Sequence, residues 1–157
     1  MTFKNLAVWV AATSIVALGL PLVTASPASA APGSWRAYGS DNPTSTGTSS
    51  WRCANDSRSI ATDVIAQVCA VRGSGNAVQG AVIVQNRRST YFSADAMLDL
   101  WRTNSNVWHG SWSCSSSSVA PRSFSVCFGK TVEDGNRVQV SPAYANNMTL
   151  PTRDAFH

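Results

Sequence analysis

Beyond residue 30 the chain holds one lysine, Lys130, and one glutamate, Glu133. Both residue types favour helices, and their scarcity beside abundant Ser, Thr and Val shifts the expectation from helix to strand. No Cys-x-x-Cys pair occurs, which excludes a zinc knuckle and a dithiol redox motif. A Gly-x-Ser-x-Gly nucleophile elbow is also missing. No loop places acids at alternate positions around a glycine, as calcium ligation needs. Gly73-x-Gly75 lacks the lysine of a phosphate cradle. The expectation is therefore no metal and no cofactor.

Charge and base chemistry are thin as well. Of 12 basic and 8 acidic residues, setting aside Lys4 leaves 11 against 8, a net charge of +3. Only Arg87-Arg88 forms a local basic pair, so a nucleic-acid partner is not expected. A catalytic triad needs a base beside a nucleophile and a third group to orient the base. There are two histidines, and His157 is the last residue. His109 alternates away from Trp108 and Trp112 and reads as a strand-surface residue. Asp95 and Asp99 share one strand face, where two like charges four apart read as a solvated surface rather than a glycosidase pair. No catalytic residue is assigned, and the chain reads as a non-enzyme.

What is present begins with an export signal. Lys4 supplies a positive start, Leu6 to Ala25 carries no charge, and Ala28-Ser29-Ala30 matches the small-x-small pattern of signal cleavage. Gly19, Pro21 and Pro27 interrupt the run and disfavour a membrane anchor. Residues 1–30 are thus expected to be removed, leaving a secreted chain with no membrane attachment. Residues 31–50, rich in Ser, Thr and Gly, read as a linker. Residues 51–157 read as one domain.

All four cysteines, Cys53, Cys69, Cys114 and Cys127, follow the signal. An even count in a small exported chain predicts two disulfides. An internal repeat narrows the pairing. Ser50-Trp51-Arg52-Cys53 is echoed by Ser111-Trp112-Ser113-Cys114, and Val68-Cys69 by Val126-Cys127. Gly75-Asn76-Ala77-Val78-Gln79 is echoed by Gly135-Asn136-Arg137-Val138-Gln139. Two related halves, about 51–92 and 112–157, would each carry their own bridge. That gives Cys53–Cys69 and Cys114–Cys127. Each loop closure stabilises by roughly 3 kcal/mol in the chain-entropy picture.

Period-two patterning supplies the strands. Val78, Val82 and Val84 share a face. Ala96, Leu98 and Leu100 alternate with Met97, Asp99 and Trp101, and Phe124, Val126 and Phe128 alternate with polar residues and Cys127. Gly73 to Asn76 and Glu133 to Asn136 are turn signals, so a hairpin is expected in each half, from its second cysteine to its Val-Gln strand. Asn55 to Ala66 is expected as a short helix, with strand as the alternative. The predicted fold is all-β: an antiparallel sandwich of two pseudo-repeated, disulfide-stapled halves.

The aromatics carry the one positive functional signal. Trp51 and Trp112 each precede a cysteine by two and are expected to pack on it, with Trp108 joining that core. Trp101 lies opposite Leu98 and Leu100, beside Asp99. An indole next to hydrogen-bonding groups suits the apolar face of a sugar ring. Trp101 and Asp99 are the candidate ligand-binding residues.

The Trp-x-Cys and Val-Cys units, the Val78 to Asn86 strand and the alanine-rich signal resemble small secreted actinobacterial proteins of unassigned function. That resemblance implies an exported protein and no particular activity. The expected function is a non-enzymatic extracellular or cell-envelope binding module, with a cell-wall polymer or polysaccharide as partner. The alternative is a secreted protease inhibitor, its partner a secreted protease, presenting Ser115 to Ser118 and Arg122 from the Cys114–Cys127 loop.

Overall fold

The computed structural model describes residues 29–157. The signal segment expected over residues 1–30 lies outside the described residues, apart from Ser29 and Ala30. In the first part of the chain run β1 (Ala31–Pro32), β2 (Ser34–Gly39), β3 (Ser50–Cys53), β4 (Arg58–Ala61), β5 (Val64–Arg72) and β6 (Ala77–Asn86). There follow β7 (Phe92–Arg102), β8 (Val107–Val119), β9 (Ser123–Phe128), β10 (Val132–Glu133), β11 (Val138–Ala145) and β12 (Met148–Thr149). A 3-10 turn at Pro43–Ser45 is the one helical element among the described residues.

The strands form two sheets. A five-stranded sheet has the order β1-β8-β7-β11-β12, and a seven-stranded one the order β2-β9-β6-β5-β3, with β10 also on β6 and β4 on β5. Neighbours pair antiparallel except β1 with β8. The protein is an all-β sandwich.

Alternation builds the core. Val64, Ala66 and Val68 of β5 and Val78, Val82 and Val84 of β6 face inward, against Leu98 and Leu100 of β7 and Val138 and Val140 of β11. Leu98 and Leu100 are fully buried, each contributing about 1.5–3 kcal/mol by leaving water. Gly80 lets the sheets meet: a Cβ there would lie 2.5 Å from Leu98 Cδ1.

Strands β5 and β6 are apolar on both sides. Cys69, Val71, Ala81, Ile83 and Val126 form a second buried cluster on the other face of the seven-stranded sheet. Tyr38, Trp51, Phe124 and Phe128 pack against it, and Trp51 meets Phe128 edge-on with centroids 5.8 Å apart.

Both expected disulfides form, in different settings. Cys53 and Cys69 are direct partners on β3 and β5, within the seven-stranded sheet. Cys114 on β8 and Cys127 on β9 join one sheet to the other.

Several expectations change. The linker expected over residues 31–50 contains β1 and β2. The first pairs with β8 and the second with β9, so the segment runs along an edge of each sheet. Gly33 makes the crossing, because a Cβ there would sit 2.8 Å from Cys114 Sγ and from Phe128 O. Asn55 to Ala66 is the strand alternative rather than the helix: β4 folds back on β5 through Asp63 at φ 55°. A helix would have left the edge of β5 unpaired.

The hairpin expected in the first half is β5–β6, with Gly75 and Asn76 at φ 62° and 61°. Its second-half counterpart does not form. Cys127 lies on β9 in the seven-stranded sheet, whereas Val138-Gln139 lies on β11 in the other, paired with β7. Repeated residues therefore occupy non-equivalent positions across the two sheets.

Candidate functional site

The outward face of the five-stranded sheet brings the predicted pair together. On β7 the side chains of Asp95, Met97, Asp99 and Trp101 alternate with the buried Ala94, Ala96, Leu98 and Leu100, and so point away from the core. Register then lays out cross-strand rows. Trp108 of β8, Trp101 and Gln139 of β11 form the first row, and Ser111 stands beside Asp99 in the next. Ser113, Met97, Tyr144 and Thr149 form the third.

Trp108 corrects an expectation. It stands four positions before Trp112, so an undisturbed strand would bury both on one side. The ladder shifts register here: Leu100 pairs with Gly110 while Trp101 pairs with Trp108, leaving His109 as an extra residue. A bulge reverses the alternation beyond it. Trp112 stays 4 % exposed in the core, and Trp108 is turned outward at 51 %. Its ring lies 6.5 Å from that of the half-buried Trp101, at an interplanar angle of 48°. The two indoles form a tilted aromatic platform.

Hydrogen-bonding groups flank the platform. Ser111 Oγ donates to Asp99 Oδ1 at 2.5 Å. Gln139 and Asn106 line a small recess beside Trp101. Farther along β7, Asp95, Met97, Ser113, Tyr144 and Asn147 line an open recess of about 690 Å3. Asp95 is held by Asn146, whose backbone N–H donates to Oδ1 at 2.9 Å and whose side-chain oxygen accepts from the Asp95 N–H at 3.0 Å.

Sequence reasoning missed the group that fixes this platform. Asp134 was read only as a turn residue, yet its carboxylate is buried with a side-chain exposure of 0 %. Oδ1 accepts from the backbone and side-chain nitrogens of Asn136. Oδ2 accepts from Arg102 Nε at 2.8 Å and meets His109 Nε2 at 2.7 Å. Burial opposes ionisation, but the hydrogen bonds from Arg102, Asn136 and His109 outweigh it and hold the carboxyl well below the usual carboxylate range. Arg72 reaches from the other sheet to donate to the carbonyls of Asp134 and Asn136, both at 2.7 Å.

His109 is accordingly not the strand-surface residue expected: its side chain is 13 % exposed and bonded to a buried acid. Arg102 follows Trp101 in sequence, and His109 follows Trp108. One carboxylate thus grips the inward neighbour of each platform tryptophan. The available signal was the Asp-x-Asn spacing at 134–136, which marks a side chain that caps its own turn.

The segment considered for protease inhibition is strand. Ser117 and Ser118 pair with Ala94 and Ser93, and Arg122 is exposed in the following turn at φ 53°. Two disulfides are compatible with an extracellular protein, and no helix among the described residues is long and apolar enough to cross a membrane. No family model, curated protein or solved structure matches the chain.

Proposed function

We propose that this protein is a secreted, non-enzymatic binding module that holds a polysaccharide of the cell envelope or its surroundings on the outward face of the five-stranded sheet. The observation that carries the reading is the Trp101–Trp108 pair. A half-exposed tryptophan gives up favourable burial, and here it stands beside a second indole in a row with Gln139. Two tilted indoles offer apolar surface to the ring faces of consecutive sugars. Asp99, Ser111, Gln139 and Asn106 offer donors and acceptors to the hydroxyl edges.

Rigid presentation supports the same reading. Asp134 fixes Arg102 and His109, so the platform is organised before the ligand arrives and less ordering has to be offset on binding. The test is co-sedimentation of the oxidised protein with insoluble polysaccharides and purified cell wall. Retention in the pellet, lowered by Trp101→Ala and by Trp108→Ala, is the expected result. Protein that stays wholly in the supernatant across neutral, acidic and basic polymers would end the proposal.

A further inference from the structure

Resting on that polysaccharide reading, we infer that the ligand is a glycan carrying free amino groups, with Asp99 and Asp95 receiving its ammonium groups. The inference comes from the distribution of charge along β7. Both carboxylates point outward and both are half-buried. They lie four residues apart on one strand, about 13 Å along its length. Between them stand Met97, Ser113 and Tyr144, which bring no positive charge.

The cations about β7 are engaged elsewhere: Arg88 lies over the Phe92 ring at 5.1 Å and donates to the Thr62 carbonyl. Arg102 spends its charge on Asp134 at 2.8 Å. Lys130 shares a recess with Trp108 and with Ser111, the partner of Asp99, but makes no salt bridge to Asp99. A chain of sugars seated on the platform and running toward Tyr144 therefore passes over two carboxylates that form no salt bridge among the described residues.

That arrangement discriminates between polymer classes. A polymer of uronic acids or phosphodiesters is repelled. An uncharged chain can stack on the indoles, but it covers both carboxylates without neutralising them, which costs free energy. An ammonium pairs with each and forms the stronger, charge-assisted kind of hydrogen bond. The 13 Å interval asks for an oligomer of several rings rather than one sugar. General attraction is not the cause, because the chain past residue 30 is itself net positive by 3 and repels a polycation as a whole.

The experiment titrates the oxidised, exported protein with oligomers of equal length, followed by tryptophan fluorescence at mildly acidic pH. The probes are glucosamine, N-acetylglucosamine, glucose and galacturonic acid oligomers. Glucosamine oligomers should bind about tenfold more tightly than the acetylated ones, from two partly exposed ion pairs. Raising the salt should shrink that preference, and galacturonate should bind weakest. Asp95→Asn should shrink the preference while leaving neutral oligomers bound as before, and the double change with Asp99→Asn should erase it. Variants whose circular dichroism departs from the parent are replaced by Asp→Ser at the same positions. Equal or reversed preference among bound oligomers overturns the amino-glycan inference and leaves the polysaccharide reading standing. Failure of the folded parent to bind any of the four overturns both.

Discussion

The two outer faces of the sandwich solve opposite problems. On the seven-stranded sheet, Cys69, Val71, Ala81, Ile83 and Val126 face outward and are nevertheless buried, covered by Tyr38, Trp51, Phe124 and Phe128 and stapled by Cys53–Cys69. On the five-stranded sheet the outward positions of β7 are Asp95, Met97, Asp99 and Trp101, and all stay partly open. The first face seals itself with its own aromatics. The second displays them. Large aromatics thus mark different things according to whether their neighbours are aliphatic or polar. A tryptophan among valines completes a core, and a tryptophan beside Asp99, Ser111 and Gln139 keeps part of its ring open to solvent.

The largest way to break this contrast is through the disulfides. Loop lengths are similar, with sequence separations of 13 and 16, so chain entropy assigns each bridge about 3 kcal/mol. The Cys114→Ala, Cys127→Ala protein should lose more than that in urea unfolding. Cys114 and Cys127 are both buried, at 3 % and 0 %, and their bridge joins one sheet to the other. The Cys53→Ala, Cys69→Ala protein should lose about 3 kcal/mol and keep its polysaccharide binding. A greater loss from the second pair would move the weight of the fold onto the self-sealed face.

Asp134→Asn comes next. It removes the charge shared by Arg102 and His109, with an expected loss of about 1–3 kcal/mol and weaker binding, since both platform tryptophans adjoin those residues. The pH dependence has a definite sign. Folding lowers the Asp134 pKa, so the unfolded chain takes up the proton first, and the contribution is complete above about pH 4 and fades as pH falls below it. Thermal unfolding between neutral and strongly acidic pH should show this acid limb in the parent and a flatter one in Asp134→Asn.

Trp108→Ala should leave the melting temperature nearly unchanged, because its side chain is half-exposed, and weaken polysaccharide binding about tenfold, near 1.4 kcal/mol. Arg36→Ala is the smallest change. Arg36 lies over the Tyr38 ring at 5.0 Å on the sealed face. Its loss should shift stability by less than about 0.5 kcal/mol and leave calorimetric titrations of polysaccharide unaltered.

Much of the architecture was legible where one rule acted alone. Alternation of Ala96, Leu98 and Leu100 with Met97, Asp99 and Trp101 gave the correct faces of β7, and the Gly75-Asn76 turn marked the β5–β6 hairpin. Reading failed where two rules competed. Residues 31–50 look like a linker in composition, but edge pairing with β8 and β9 overrides polarity. Trp108 was assigned to the core by parity, and the bulge at His109 undid the parity. The second-half hairpin was inferred from similarity to the first, although strand partners depend on what the sheet offers and not on sequence echo.

The amino-acid order alone settled the class of fold, the pairing of the cysteines and the outward direction of Trp101 and Asp99. The fold class and the faces follow from local alternation, and the pairing from the echo of the Trp-x-Cys and Val-Cys units along the chain. Tertiary structure alone decided that Asp134 is buried between Arg102 and His109, that Trp108 joins Trp101, and that one disulfide lies within a sheet while the other spans two. Each of those depends on contacts between residues 13 or more apart in the chain or on a register shift between strands. Such contacts come from the whole chain closing on itself, and no local pattern encodes them.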